Sequence, residues 1–166
     1  MSDVTDKSLT SPVLEDLVCF AVYSAGHAFN RVYKPLLDEL GLTYPQYLVM
    51  VSLWDKDDQT VGELGELLFL ESSTLTPLLK RLETGGHLTR SRDPSDERQV
   101  RIRLTNQGRA LHRKAREIPR CILEATGLSP TDLRRLHRQI TALRQNLLQS
   151  STAPAPAANS KQQIAN

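Results

Sequence analysis

Residues 60–105 limit the architecture more than any other stretch of this chain. They hold two short amphipathic helical patterns, a tight turn between them, and a basic pair of strand patterns. Thr60-Val61-Gly62-Glu63 forms a capping box: the threonine hydroxyl accepts from the Glu63 amide while the glutamate side chain reaches back. Val61, Leu64, Leu67 and Leu68 then share one helical face. After a turn at Glu71-Ser72, Leu75, Leu78, Leu79 and Leu82 recur at the spacing of a buried stripe. Gly85-Gly86 ends this second helix, because glycine accepts the left-handed conformation that follows one.

The opposite face of the second helix is polar. Ser72, Ser73, Thr74, Thr76 and Pro77 supply short side chains near its N-terminus, and Lys80 and Arg81 supply long cations further on. Short groups allow close approach to base edges, and cations reach phosphates. Leu88–Arg92 and Val100–Leu104 read as strands, with Val100, Ile102 and Leu104 alternating with Arg101 and Arg103. Asp93-Pro94-Ser95-Asp96 supplies the turn between them. Arg90, Arg92, Arg98, Arg101 and Arg103 make the hairpin cationic, and Arg98 near its tip is placed to probe a narrow minor groove. The succession predicts a winged helix-turn-helix whose partner is double-stranded DNA. The candidate contacts are Ser72, Ser73, Thr74, Thr76, Pro77, Lys80, Arg81, Arg90, Arg92, Arg98 and Arg101.

A formal net charge of +2 over 166 residues makes the basic character local to this module, and few aromatics favour a mainly α fold with a small β-wing. No apolar run is long enough to span a membrane and no signal-peptide pattern is present, so the expected location is the cytoplasm, with no membrane partner. His27, His87, His112 and His137 stand singly without ligand spacing, so no metal, cofactor or enzymatic role is expected. The expected organisation is a flexible N-terminus (1–12), a winged-helix and dimerisation domain (13–150), and a disordered low-complexity tail (151–166).

The flanks are helical. One helix is expected to open at Ser11-Pro12 and run to about Leu40, and another to start at Thr43-Tyr44-Pro45-Gln46. A third should run from Thr105 to about Ala125, and a last one should follow Ser129-Pro130-Thr131-Asp132. Leu133, Leu136, Ile140, Leu143 and Leu147 give that last helix an apolar seam with nothing to pack on in a small winged domain. A two-fold homodimer satisfies it and requires an inverted-repeat operator.

Cys19 is expected about two turns inside the first helix, where the helix dipole acts weakly. It reads either as a small buried hydrophobe or as a reactive thiol. Tyr23 lies four residues on, on the same face, within reach of a thiolate. Tyr33 is fourteen residues on, about 21 Å along a straight helix, and cannot meet its own Cys19.

Ser73-Thr74-Leu75-Thr76-Pro77-Leu78-Leu79-Lys80-Arg81-Leu82-Glu83, followed by Asp93-Pro94-Ser95-Asp96-Glu97-Arg98-Gln99-Val100, resembles the MarR family of bacterial repressors, from about Leu14 to Leu148. Leu17-Val18-Cys19-Phe20-Ala21-Val22-Tyr23 resembles its organic-hydroperoxide sensors, the OhrR group. The resemblance implies that Cys19 is the sensing thiol, contacted by Tyr33 and Tyr44 across the dimer, and that organic hydroperoxide is the inducer. In the two-cysteine branch it implies a disulfide to a late helix of the other subunit. Cys121 lies one turn before the family's position, so a small thiol capping Cys19 stands as the alternative. The resemblance also puts an acid at Glu71 to orient a wing arginine, with Arg90 the candidate. The rival reading is a repressor responsive to a small aromatic ligand, with both cysteines incidental.

Overall fold

The structure is a computed structural model and describes residues 13–152. It separates into two compact units, Met1–Ala125 and Thr126–Asn166. In the first unit a single 3-10 turn, Leu14–Asp16, precedes α1 (Val18–Asp38), so this helix starts later than its apolar pattern predicts. The expected start at Ser11-Pro12 lies outside the described residues. Gly41, at φ +68°, lets the Leu42 amide fold back onto the Leu37 carbonyl and ends the α1 segment. Then α2 (Tyr44–Asp55) begins as predicted, with the Gln46 side chain accepting from the Thr43 amide at 2.8 Å.

The winged module follows the predicted order with one addition. A two-residue strand β1 (Gln59–Thr60) precedes α3 (Val61–Leu68) and α4 (Ser72–Thr84), and the hairpin is β2 (Leu88–Arg92) and β3 (Val100–Leu104). The sheet is antiparallel with order β1-β3-β2; Gln59 pairs with Ile102, and Leu88 with Leu104. The Thr60–Glu63 capping box is present in both directions, at 3.1 and 2.7 Å. Leu64 is buried on α3, whereas Leu67, predicted for the same face, is exposed. Phe69 closes α3 in the left-handed region, and that bend turns the chain into α4.

The core lies between α2, the inner stripe of α4 and the sheet: Met50, Leu53, Leu64, Leu75, Leu79, Leu82, Leu88 and Ile102 are all buried. The helix predicted from Thr105 to Ala125 is broken into α5 (Asn106–Lys114), a 3-10 turn (Ala115–Glu117) and α6 (Ile118–Thr126). In the second unit α7 (Pro130–Thr152) starts on the predicted Ser129–Asp132 cap and runs through Thr152, so 151 and 152 are helical rather than tail. The remainder of the predicted tail lies outside the described residues.

The start of α5 is wedged against His87, three residues past the end of α4. A Cβ added at Gly108 would collide with the His87 carbonyl, which already accepts from the Thr105 amide. Gly108→Ala should therefore destabilise the protein by about 1–3 kcal/mol through overpacking. Urea unfolding would measure this, and wild-type stability in the variant would mean that the helix start can shift freely.

Candidate nucleic-acid interface and thiol site

On α4, Leu75, Leu79 and Leu82 point inward, which leaves Ser72, Ser73, Thr74, Thr76, Pro77, Lys80 and Arg81 all exposed on its other side. The Thr76 hydroxyl donates to the Ser72 carbonyl at 2.7 Å. It therefore offers an outside partner its lone pairs and its methyl group. Pro77, inside the helix, has no amide to donate to the Ser73 carbonyl. The polar face expected from the sequence is thus exposed on α4.

Several wing arginines are held by neighbouring acids. Arg90 Nε donates to Glu83 Oε2 at 2.7 Å, and Glu83 Oε1 takes the Arg90 amide at 3.1 Å. The acid that orients Arg90 is therefore Glu83, from the last turn of α4, and not Glu71, which stands at the N-cap of that helix. Arg90 holds the Glu83 carboxyl below its usual range. Arg101 was expected at the DNA surface. In the structure its Nε donates to Asp93 Oδ2 at 2.5 Å and its Nη1 to the Asp58 carbonyl at 3.0 Å. Arg103 Nε pairs with the same Asp58 carboxylate at 3.0 Å. Arg92 and Arg98 remain exposed alongside Lys80 and Arg81.

Asp93 shapes the wing tip. It is buried and accepts from the Ser95 hydroxyl and amide as well as from Arg101, and together these hold its carboxyl far below the ordinary range. Arg90 and Arg98 line a cleft of about 400 Å³ between the wing, Ser72 and Thr76 of α4, and the first turn of α3. Sequence reasoning missed Glu83, Asp57 and Asp58. The Asp57-Asp58 pair just before the Thr60 cap was the available signal.

Cys19 is exposed and occupies the first turn of α1, not its third. That turn carries free backbone N–H groups and the positive end of the helix dipole, a setting that favours negative charge. Tyr23, one turn on, is 63% exposed and packs edge-on against His27 with ring centroids 4.4 Å apart. Tyr33 and Tyr44, from α1 and α2, meet with centroids 4.7 Å apart, and Tyr47 lies 5.8 Å from Tyr33. Burial, then the neighbouring Tyr44 and Tyr47, push the Tyr33 phenol up to about 12. It is therefore a neutral hydrogen-bond donor at physiological pH. Cys121 is half-buried on α6.

A polar-faced second helix beside a basic wing defines a winged helix-turn-helix protein, here with an exposed thiol outside the module. The family model for transcriptional regulators SarA/Rot matches residues 31–115. The HTH-type transcriptional regulator TtmR of Methylorubrum extorquens (strain PA1) is 47% identical over 147 residues, 88% of this chain and 75% of that protein. The organic hydroperoxide resistance transcriptional regulator of Bacillus subtilis (strain 168) is 44% identical over 138 residues, 83% of this chain and 94% of that protein. Among solved structures, reduced AbfR bound to DNA matches with TM-score 0.68 at 34% identity, over 81% of this chain and 93% of that one. AbfR, a Staphylococcus epidermidis protein, has also been solved in a disulfide form (TM-score 0.57, 34% identity, 84% and 93% covered). The chain belongs to the MarR family of transcriptional regulators, in the branch of the organic hydroperoxide regulators.

Because Asp93 ionises at lower pH in the fold than in the unfolded chain, its charge stabilises the wing above the unfolded value near 4. That contribution is lost as pH falls toward the folded value. Asp93→Asn should thus be less stable than wild type at pH 7, with the gap narrowing below about pH 4. Urea melts at pH 7, 5 and 3 would test this, and a gap constant across the series would contradict it.

Proposed function

We propose that this protein is a thiol-switched transcriptional repressor of the cytoplasm, not an enzyme, and that it binds an inverted-repeat operator as a homodimer when reduced. One observation carries the switch: Tyr33 and Tyr44 form a paired phenol site about 21 Å along α1 from Cys19 of the same chain. Such a site can serve only the Cys19 of a second subunit. Val18 and Val22 on α1, and Ile140 and Leu147 on α7, leave apolar surface for that subunit to cover. The relatives support the reading, since one is a regulator of organic hydroperoxide resistance and another has been solved reduced on DNA and in a disulfide form.

The Cys19 thiolate attacks the terminal peroxide oxygen. The O–O bond breaks, and the alcohol leaves with a proton supplied from the neighbouring phenols or from water. The resulting sulfenic acid condenses with the Cys121 thiol of the other subunit, forming the S–S bond and releasing water. Cys121 sits on α6, beyond the 3-10 break, so tension there reaches α5. The N-terminal turn of α5 is fastened to the end of α4 by Thr105 Oγ1 on the Gly86 carbonyl at 2.6 Å and Gln107 Nε2 on the Gly85 carbonyl at 3.0 Å. Recognition helices displaced in this way no longer fit successive major grooves.

DNA containing the operator should be released on treatment with cumene hydroperoxide by wild type and retained by Cys19→Ser. Cys121→Ser should lose the intersubunit band on a non-reducing gel. A Cys19→Ser protein that still responds would favour the aromatic-ligand reading. Within the interface, Lys80, Arg81, Arg92 and Arg98 are the exposed cations. Arg98→Ala should therefore flatten the slope of log K against log salt by about 1 for each subunit. Arg101→Ala should lower thermal stability and leave that slope nearly unchanged, and the opposite pattern would return Arg101 to the interface.

A further inference from the structure

His87 stands where α4, β2 and α5 meet. Its amide donates to the Leu82 carbonyl at 3.0 Å and closes the turn that ends α4, while its carbonyl accepts from the Thr105 amide at 3.1 Å. Gly86, at φ +76°, makes that turn possible. The next residue, Leu88, opens β2 and is buried. The His87 ring folds back over the helix end: a Cβ added at Gly85, the C-cap of α4, would lie 3.1 Å from its Cδ2 and 3.3 Å from its Nε2. Nδ1 is buried without a hydrogen-bond partner, alone among the buried side-chain nitrogen and oxygen atoms of the described residues. The ionisable groups on the surrounding elements are engaged elsewhere or exposed. Glu83 of α4 and Arg90 of β2 hold each other, Arg101 and Arg103 of β3 are held by Asp58, and Arg109 of α5 by Asp57. The other charged side chains of these elements, and His112, face solvent. Burial alone therefore holds the His87 imidazole below its ordinary range.

We propose that His87 is a proton-sensitive positioning residue for the recognition helix: protonation of its ring loosens the end of α4 from α5 and weakens operator binding in acid. The neutral ring can keep its single proton on Nε2 and leave Nδ1 as a lone pair. The cation carries a proton on both nitrogens, and the second meets no acceptor among the described residues. A buried, unpaired cationic donor is costly, so the charged ring turns out toward water. Turning out uncovers Gly85. The carbonyls of Gly85 and Gly86 take the bonds from Gln107 and Thr105 that fasten α4 to α5. Both recognition helices fit their half-sites only while they are held in place, so the operator-bound form favours the neutral ring. Operator affinity is then full above the ordinary imidazole value of about 6.5, and is lost as pH falls through the lower value of the folded protein. The inference needs operator binding through α4 and is independent of the thiol.

The test uses the full-length reduced protein. Its affinity for operator DNA and for a scrambled duplex of equal length is measured from pH 8 to pH 5 at fixed ionic strength, in wild type and in His87→Phe, which keeps a ring but cannot take a proton. In wild type the ratio of operator to scrambled affinity should fall by about tenfold or more across this range. In the variant it should stay level; the same profile in both proteins overturns the proposal. A second measurement does not depend on that variant folding. The imidazole NMR signal of His87 in wild type, followed over the same range, should titrate at lower pH on the operator than in free protein. One midpoint for both states overturns the coupling to DNA. Protein that binds no operator even at pH 8 would remove the DNA-binding reading itself, and the role of His87 falls with it.

Discussion

The DNA-facing half of the molecule is assembled on the Asp57-Asp58 turn between α2 and β1. Asp57 Oδ1 accepts from the Leu104 amide at 2.9 Å and its Oδ2 takes Arg109 at 2.6 Å, which ties the end of β3 and the start of α5 to one carboxylate. Burial raises that carboxyl, but the amides of Leu104 and Asp58 and the Arg109 guanidinium outweigh it and hold it ionised below its usual range. Asp58 adopts φ 58°, a left-handed conformation that aspartate tolerates better than most residues, and so presents both its carbonyl and its carboxylate to Arg101 and Arg103. Two of the five wing arginines are thus neutralised from below. The wing's cationic surface is narrower than its composition implies, and it is carried by Arg92 and Arg98, with Arg90 aimed by Glu83.

A second constraint is the length of α1. An uninterrupted helix from Val18 to Asp38 cannot bend Cys19 onto Tyr33, so the thiol and the phenols must belong to different subunits if they meet at all. Dimerisation and sensing then share one surface. Under the proposed function, the exposed apolar face that joins two chains would also carry the thiol of one to the phenols of the other. Burying that surface costs the sensor little, because the same residues would otherwise lie exposed as apolar patches.

The elements that follow local rules were legible in the sequence: the Thr60–Glu63 box, the leucine stripe of α4, the alternation of β3, and the Ser129–Asp132 cap. Those that depend on tertiary contacts were not. The apolar pattern from Val13 does not distinguish a 3-10 turn followed by a helix from a single helix, so Cys19 was read two turns too deep. The break at Ala115–Glu117 has no glycine to announce it, and Pro119, tolerated in the first turn of α6, gave no signal of its own. β1 is two residues long and exists only because Gln59 and Thr60 pair with Ile102 and Arg101. Periodicity also placed every wing arginine on the surface. The pairing of Arg101 with acids could not be read there either, because Asp58 and Asp93 come together from positions 35 residues apart in sequence.

Under the proposed function, the broken helix after the wing would give the switch its mechanical route. A continuous helix from Asn106 to Thr126 would carry Cys121 and the wing base as one rigid rod. Interposing a 3-10 turn lets α5 and α6 shift relative to each other, although Ile118 and Ile122 anchor α6 in the core. The fastening is extensive: Trp54 and Asp57 hold α5 to the α2 side, while Thr105 and Gln107 hold it to Gly85 and Gly86. A pull large enough to exceed the give of the turn must move the end of the recognition helix as well. Converting a nearly saturated operator to a nearly empty one requires about a 10⁴-fold change in relative affinity. A symmetric dimer reaches it most readily by losing the simultaneous fit of two half-sites, which requires a displacement between the two reading heads and no change in any single base contact.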